Sequence, residues 1–247
     1  MVVVMSMRYL DPKNDLVFKR IFGEHPLILR SFLNALLPLP EGGQIVSLEY
    51  LQPEQVPDVP LLKNSIVDVR CKDERGRQFI VEMQMNWTNA FLQRVLFNAG
   101  KAYVRQLERG ERYELLQPVF GLSLLDDIFE PDSTDFYHHY QMINVGRPER
   151  VIDGLQLVFV ELPKFEKADP LDPLKKAWLR FLRETGERLS AEEYELLRKE
   201  VTSQAPEIQE AMNLAAAAAF TPGELEAYDR YWDAVSCERT LLSGKYA

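Results

Sequence analysis

The sequence is short of the residues that build sulfur-based scaffolds. Its 247 residues hold two cysteines, Cys71 and Cys237, which make no disulfide framework and no CxxC motif, so a structural zinc site is not expected. Long apolar runs are missing too: nothing approaches the roughly 20 residues that span a bilayer. The opening Met1-Val2-Val3-Val4-Met5 is too short, and lacks the basic start, for a signal peptide. These absences predict a cytoplasmic protein with no membrane partner.

What is present is an ordinary globular mixture, 46% hydrophobic and 27% charged, which argues against wholesale disorder. The length fits one domain with an appendage or two small ones. The formal charge of −9 is unevenly placed: residues 1–125 carry a net +1 and residues 126–247 a net −10. A uniformly negative chain would repel phosphates. The near-neutral N-terminal half leaves phosphate binding open.

Asp11-Pro12 reads as an N-cap followed by proline at the first helical position, with Gly23 as the stop. Residues 26–37 read as a second helix, and 38–62 as proline-broken loop with a short strand near 45–51. Residues 64–72 and 77–85 alternate as strands around the turn Asp73-Glu74-Arg75-Gly76. A helix is predicted over 87–110, strands over 117–125, 136–144 and 155–162, and helices from about Leu171 onward. The fold class is therefore α/β, a mixed central sheet flanked by helices with a helical C-terminal region. The composition shift near Pro163–Pro173 divides the chain into 1–165 and 166–247.

The hairpin carries the chemistry. Side chains alternate faces with period 2, so Val67, Val69 and Cys71 share one face, as do Phe79, Val81 and Met83 on the partner strand. Asp68 and Arg70 take the opposite face, with Ile80, Glu82 and Gln84. If Gly76 supplies the left-handed position of a three-residue loop, paired positions sum to 150. Asp68 then faces Glu82 with Cβ atoms roughly 5 Å apart. Two carboxylates so close repel unless a proton or a cation lies between them, and oxygen-only ligands suit Mg²⁺ or Mn²⁺. The plain alternative is a solvated polar face on which Arg70 neutralises one of the acids. Pro57-Asp58 is a second acidic candidate, but it sits in proline-rich sequence poorly suited to a central strand.

The pattern D-x(13)-E-x-Q across a hairpin resembles the active site of the PD-(D/E)xK nuclease superfamily. More narrowly, the chain is similar to its recombination-promoting nuclease and transposase branch. The matching pieces begin with Lys13–Gly23 (KNDLVFKRIFG), Ser65–Val69 (SIVDV), Gly76 and Phe79–Gln84 (FIVEMQ). Arg94, Tyr103, Gly110, Tyr113, Phe159–Phe165 (FVELPKF) and Trp178–Leu182 follow in the right order, so about residues 8–185 are covered. The resemblance implies a restriction-endonuclease-like core and a metal-dependent DNA endonuclease acting in recombination or transposition. Asp68 and Glu82 would hold Mg²⁺ or Mn²⁺ with the Met83 carbonyl as a further ligand, and no small-molecule cofactor is implied. The third position is usually lysine; here it is Gln84, which hydrogen-bonds but brings no positive charge. Asp15, in the first helix, matches the extra acidic group that the superfamily often supplies; the alternative is an (i, i+4) pair with Lys19.

On the 87–110 helix, Arg94, Lys101 and Arg105, followed by Arg109, recur on one side, a stripe suited to DNA phosphates or simply to solvent. A homodimer would suit an enzyme that cuts both strands. The competing reading is a catalytically weak or inactive nuclease fold that serves as a protein or DNA interaction module.

Overall fold

The computed structural model describes residues 8–55, 65–166, 170–186 and 190–243; Pro57-Asp58 lies outside them. The chain forms two compact units, Leu37–Lys164 and Met1–Leu36 with Phe165–Ala247.

The first unit is built on a six-stranded mixed sheet in the order β1-β4-β5-β6-β8-β7. Its strands are β1 (Leu48–Tyr50), β4 (Val69–Asp73), β5 (Gln78–Gln84), β6 (Val119–Leu125), β7 (Tyr137–Asn144) and β8 (Arg147–Glu161). A separate two-stranded ribbon pairs β2 (Glu54–Gln55) with β3 (Ser65–Ile66). β5, β6 and β8 run parallel and the outer pairings are antiparallel. The predicted α/β class is the observed one.

Every residue of β6 is buried, as expected of a parallel strand covered on both faces, whose sequence reads as a continuous apolar run. One face meets α3 (Phe91–Val104). There Val67, Ile80 and Val119 pack with Ala99 and Ala102, and Leu125 and Phe159 pack with Phe91 and Val95. On the opposite face Phe79 and Phe120 stack with ring centroids 5.4 Å apart.

Both α3 and β8 differ from the sequence reading. α3 ends at Val104 rather than at 110, because Gln106 exchanges two hydrogen bonds with the backbone of Gln117 (2.8 and 2.9 Å) and draws the chain away. β8 begins at Arg147 rather than 155, because residues 147–152 find a ladder partner in β7 despite a charged, proline-containing sequence.

The second unit contains α1 (Asp15–Phe22), α2 (Pro26–Leu36), α4 (Pro173–Glu184), α5 (Ala191–Thr202), α6 (Pro206–Leu214) and α7 (Pro222–Ser243). Asn14, not Asp11, caps α1 by accepting from Leu16 N–H. Asp11 instead accepts from the backbone and ammonium of Lys13 (both 2.9 Å). The first 36 residues join this unit because the apolar faces of α1 and α2 meet α4. Trp178, fully buried, lies 5.9 Å from the Phe22 ring and 5.4 Å from Phe32, and its indole N–H donates to Ser31 Oγ. The two units divide at Leu36/Leu37 and at Lys164/Phe165, so the N-terminal helices are grouped with the C-terminal ones. Among the described residues no helix is long and apolar enough to cross a membrane.

Candidate active site at the end of the β4–β5 hairpin

The turn fixes the register. Gly76 has φ +81°, a left-handed conformation that only glycine adopts without strain. Buried Asp73 ties the loop: its carboxylate accepts from the N–H groups of Arg75 (3.1 Å) and Arg77 (2.9 Å) and pairs with Arg77 Nε at 2.7 Å. Val69 consequently pairs with Val81 and Arg70 with Ile80, the register predicted from a three-residue loop.

The ladder stops one pair short of Asp68 and Glu82. Residues 65–66 leave to pair with β2, and Val67 N–H donates to the Pro53 carbonyl (3.3 Å). Val67 then packs with Ile80 on the α3 side, not on the Val69–Cys71 face that strict alternation assigned it. Asp68 sits in the resulting bend, and its Oδ2 accepts from the Met83 N–H at 2.7 Å. Met83 lies two residues beyond Val81, so its amide and carbonyl point toward the same edge of β5. The Asp68 carboxylate thus takes the amide that a continued β4 would have used, beside Glu82.

Glu82 is buried, and burial pushes its carboxyl above the ordinary range, opposed by Asn98 and by the charge of Arg94. Its one hydrogen bond among the described residues comes from Asn98 Nδ2 to Oε1, 2.8 Å. Desolvation without full compensation favours the neutral acid, or a cation beside the ionised one. Arg70 does not supply that charge: its guanidinium donates to Gln78 (2.9 Å), and its pKa is lowered by burial and by Arg105 nearby. Gln84 is held at both ends of its amide. Nε2 donates to the Asn86 carbonyl (2.7 Å), and Oε1 accepts from Arg94 (2.5 Å).

The three basic residues of the predicted stripe differ in their surroundings. Arg94 stands at Gln84, with its guanidinium 4.9 Å from the Phe91 ring centroid. Lys101 reaches over Phe97, and Arg105, just past the helix end, lies close to Arg70. Asn98, on the same side of the helix, was not singled out from sequence; its spacing of four from Arg94 was the available signal. Asp15 belongs to the other unit, and its carboxylate pairs with Lys19 at 2.7 Å. Among the described residues no group of three or more His, Cys, Asp or Glu side chains gathers as a metal cluster.

The profile of the PD-(D/E)XK nuclease family transposases matches residues 12–240. The chain belongs to this family. It is thus a nuclease-fold protein linked to transposition. No curated protein and no solved structure matches it.

Proposed function

We propose that this PD-(D/E)XK family member is a metal-dependent DNA endonuclease whose site comprises Asp68, Glu82 and Gln84. The observation that carries the reading is the Asp68 carboxylate on the Met83 amide, next to a buried Glu82 that burial disfavours in its charged form. Such a donor set fits Mg²⁺ or Mn²⁺, hard cations that bind through one or two carboxylates and complete their shell with waters and substrate phosphate. Asp68, Glu82 and the Met83 carbonyl would hold it. When bound, the ion supplies positive charge to the phosphate and acidifies water. The chain's own part is orientation: Asn98 fixes Glu82, Arg94 and the Asn86 carbonyl fix the Gln84 amide, and Lys101 and Arg105 meet flanking DNA phosphates. Asp15 enters on the family pattern alone. A homodimer would offer one site to each strand.

The test is plasmid nicking with Mg²⁺ or Mn²⁺. Wild-type protein is expected to nick, Asp68→Ala to lose at least about 100-fold in rate, and excess chelator to stop the reaction. Nicking that survives Asp68→Ala or chelator contradicts the reading.

One observation favours a second reading, an inactive nuclease fold acting as an interaction module. Gln84 has no charge, and both ends of its amide are engaged. That reading expects no cleavage and no Mg²⁺ binding sensitive to Glu82→Ala.

A further inference from the structure

The proposed endonuclease lacks a cation at position 84, where its superfamily usually has lysine, yet a cation stands there. Arg94 and Asn98 are four residues apart on α3, a rise of about 6 Å, while Gln84 and Glu82 are two apart on β5, about 6.6 Å. The two spacings match, so consecutive turns of the helix address alternate residues of the strand. Arg94 donates to Gln84 Oε1 at 2.5 Å and Asn98 to Glu82 Oε1 at 2.8 Å. Arg94 is exposed, unlike buried Asn98, and its guanidinium lies near the Phe91 ring, which steadies a cation that remains open to solvent.

We propose that Arg94 is a catalytic residue, supplying from α3 the positive charge to the scissile phosphate that residue 84 cannot supply from β5. The inference rests on the endonuclease reading. In hydrolysis the water oxygen bonds to phosphorus, one ester P–O bond breaks, and one proton of the water ends on the leaving hydroxyl. Arg94 gives up no proton. One of its N–H groups stays on Gln84, and others donate to the phosphate oxygens as negative charge builds there. Gln84 then acts as a positioning residue, its amide holding the guanidinium that supplies the charge Gln84 lacks. This differs from a phosphate anchor on a solvated stripe, whose loss weakens binding of any DNA and leaves the chemical step alone.

The test compares wild type, Arg94→Ala, Lys101→Ala, Gln84→Lys and the Arg94→Ala/Gln84→Lys double variant in Mn²⁺-dependent nicking. Folding is checked by circular dichroism, and DNA affinity is measured against salt without divalent metal. Arg94→Ala is expected to lower kcat about 100-fold with KM within about threefold, and to leave the salt slope unchanged. Lys101→Ala is expected to reduce that slope by about 1. The double variant is expected to recover at least about tenfold over Arg94→Ala, since lysine at 84 restores the charge. Wild-type kcat in Arg94→Ala, a loss confined to KM and salt slope, or no recovery in the double variant overturns the proposal. Wild type that fails to nick at all overturns the endonuclease reading, and this proposal with it. That outcome is distinct because it appears before any variant is compared.

Discussion

Two buried glutamates end neighbouring parts of the same sheet and have opposite surroundings. Glu161, the last residue of β8, has a fully buried side chain. It accepts from Phe129 N–H (2.6 Å), Glu130 N–H (3.1 Å) and Lys164 Nζ (2.6 Å), and His138 Nε2 lies 2.9 Å away. Burial pushes its carboxyl up, but Lys164 and the other partners outweigh that and hold it below the usual range. Glu82, near the end of β5, has Asn98 as its one hydrogen-bond donor among the described residues, and its carboxyl is raised. Burial of an acid is therefore not what singles out a site. The difference is whether the fold supplies the compensating charge itself, as Lys164 does for Glu161, or leaves it to be supplied.

Replacing each acid by its amide sharpens the contrast. Glu161→Gln should be the larger effect, destabilising the protein by about 3–5 kcal/mol, since Lys164 loses its partner and the backbone N–H groups lose a charged acceptor. The measurement is urea denaturation at pH 7. Because the Glu161 pKa is lowered in the fold, its stabilisation is present above the ordinary carboxyl range. It is lost as pH falls through the folded value, so wild type and variant should converge in acid.

Glu82→Gln should act in the opposite direction and by less. In metal-free buffer at pH 7 it should raise the melting temperature by about 2–4 °C, because an under-compensated buried charge is removed. A raised pKa means the fold favours the protonated form. The gain should therefore shrink as pH falls through the folded value, since wild-type Glu82 then protonates as well. Destabilisation by Glu82→Gln in metal-free buffer would erase the contrast between the two acids.

Much of this hairpin was legible in the sequence. Asp73 and Gly76 dictated a three-residue loop, that loop dictated the register, and the alternation of Phe79–Gln84 put Glu82 and Gln84 on one face. The break at Val67–Asp68 was not legible. It depends on Pro53 and β2 capturing residues 65–67, partners ten or more positions away whose ladder is only two residues long. Nor was the role of the α3 row. A helical period shows that Arg94 and Asn98 share a side, but only the packing of Ala99 and Ala102 on Ile80 turns that side toward the ends of Glu82 and Gln84. The Glu161-Leu162-Pro163-Lys164 segment matched the family without an apparent task in sequence. Its task is to hold the 129–135 loop, Lys164 also reaching the carbonyls of Glu130 (2.6 Å) and Asp135 (3.4 Å). His138 is part of that cluster.

The claim beneath the functional reading is that Asp68 and Glu82 together bind one divalent cation, and calorimetric titration of Mn²⁺ into wild-type protein and the Asp68→Ala and Glu82→Gln variants tests it most directly. Wild type is expected to show a single saturable site that weakens at least about tenfold in each variant; equal Mn²⁺ binding by all three proteins, or none by wild type, would contradict shared binding by Asp68 and Glu82.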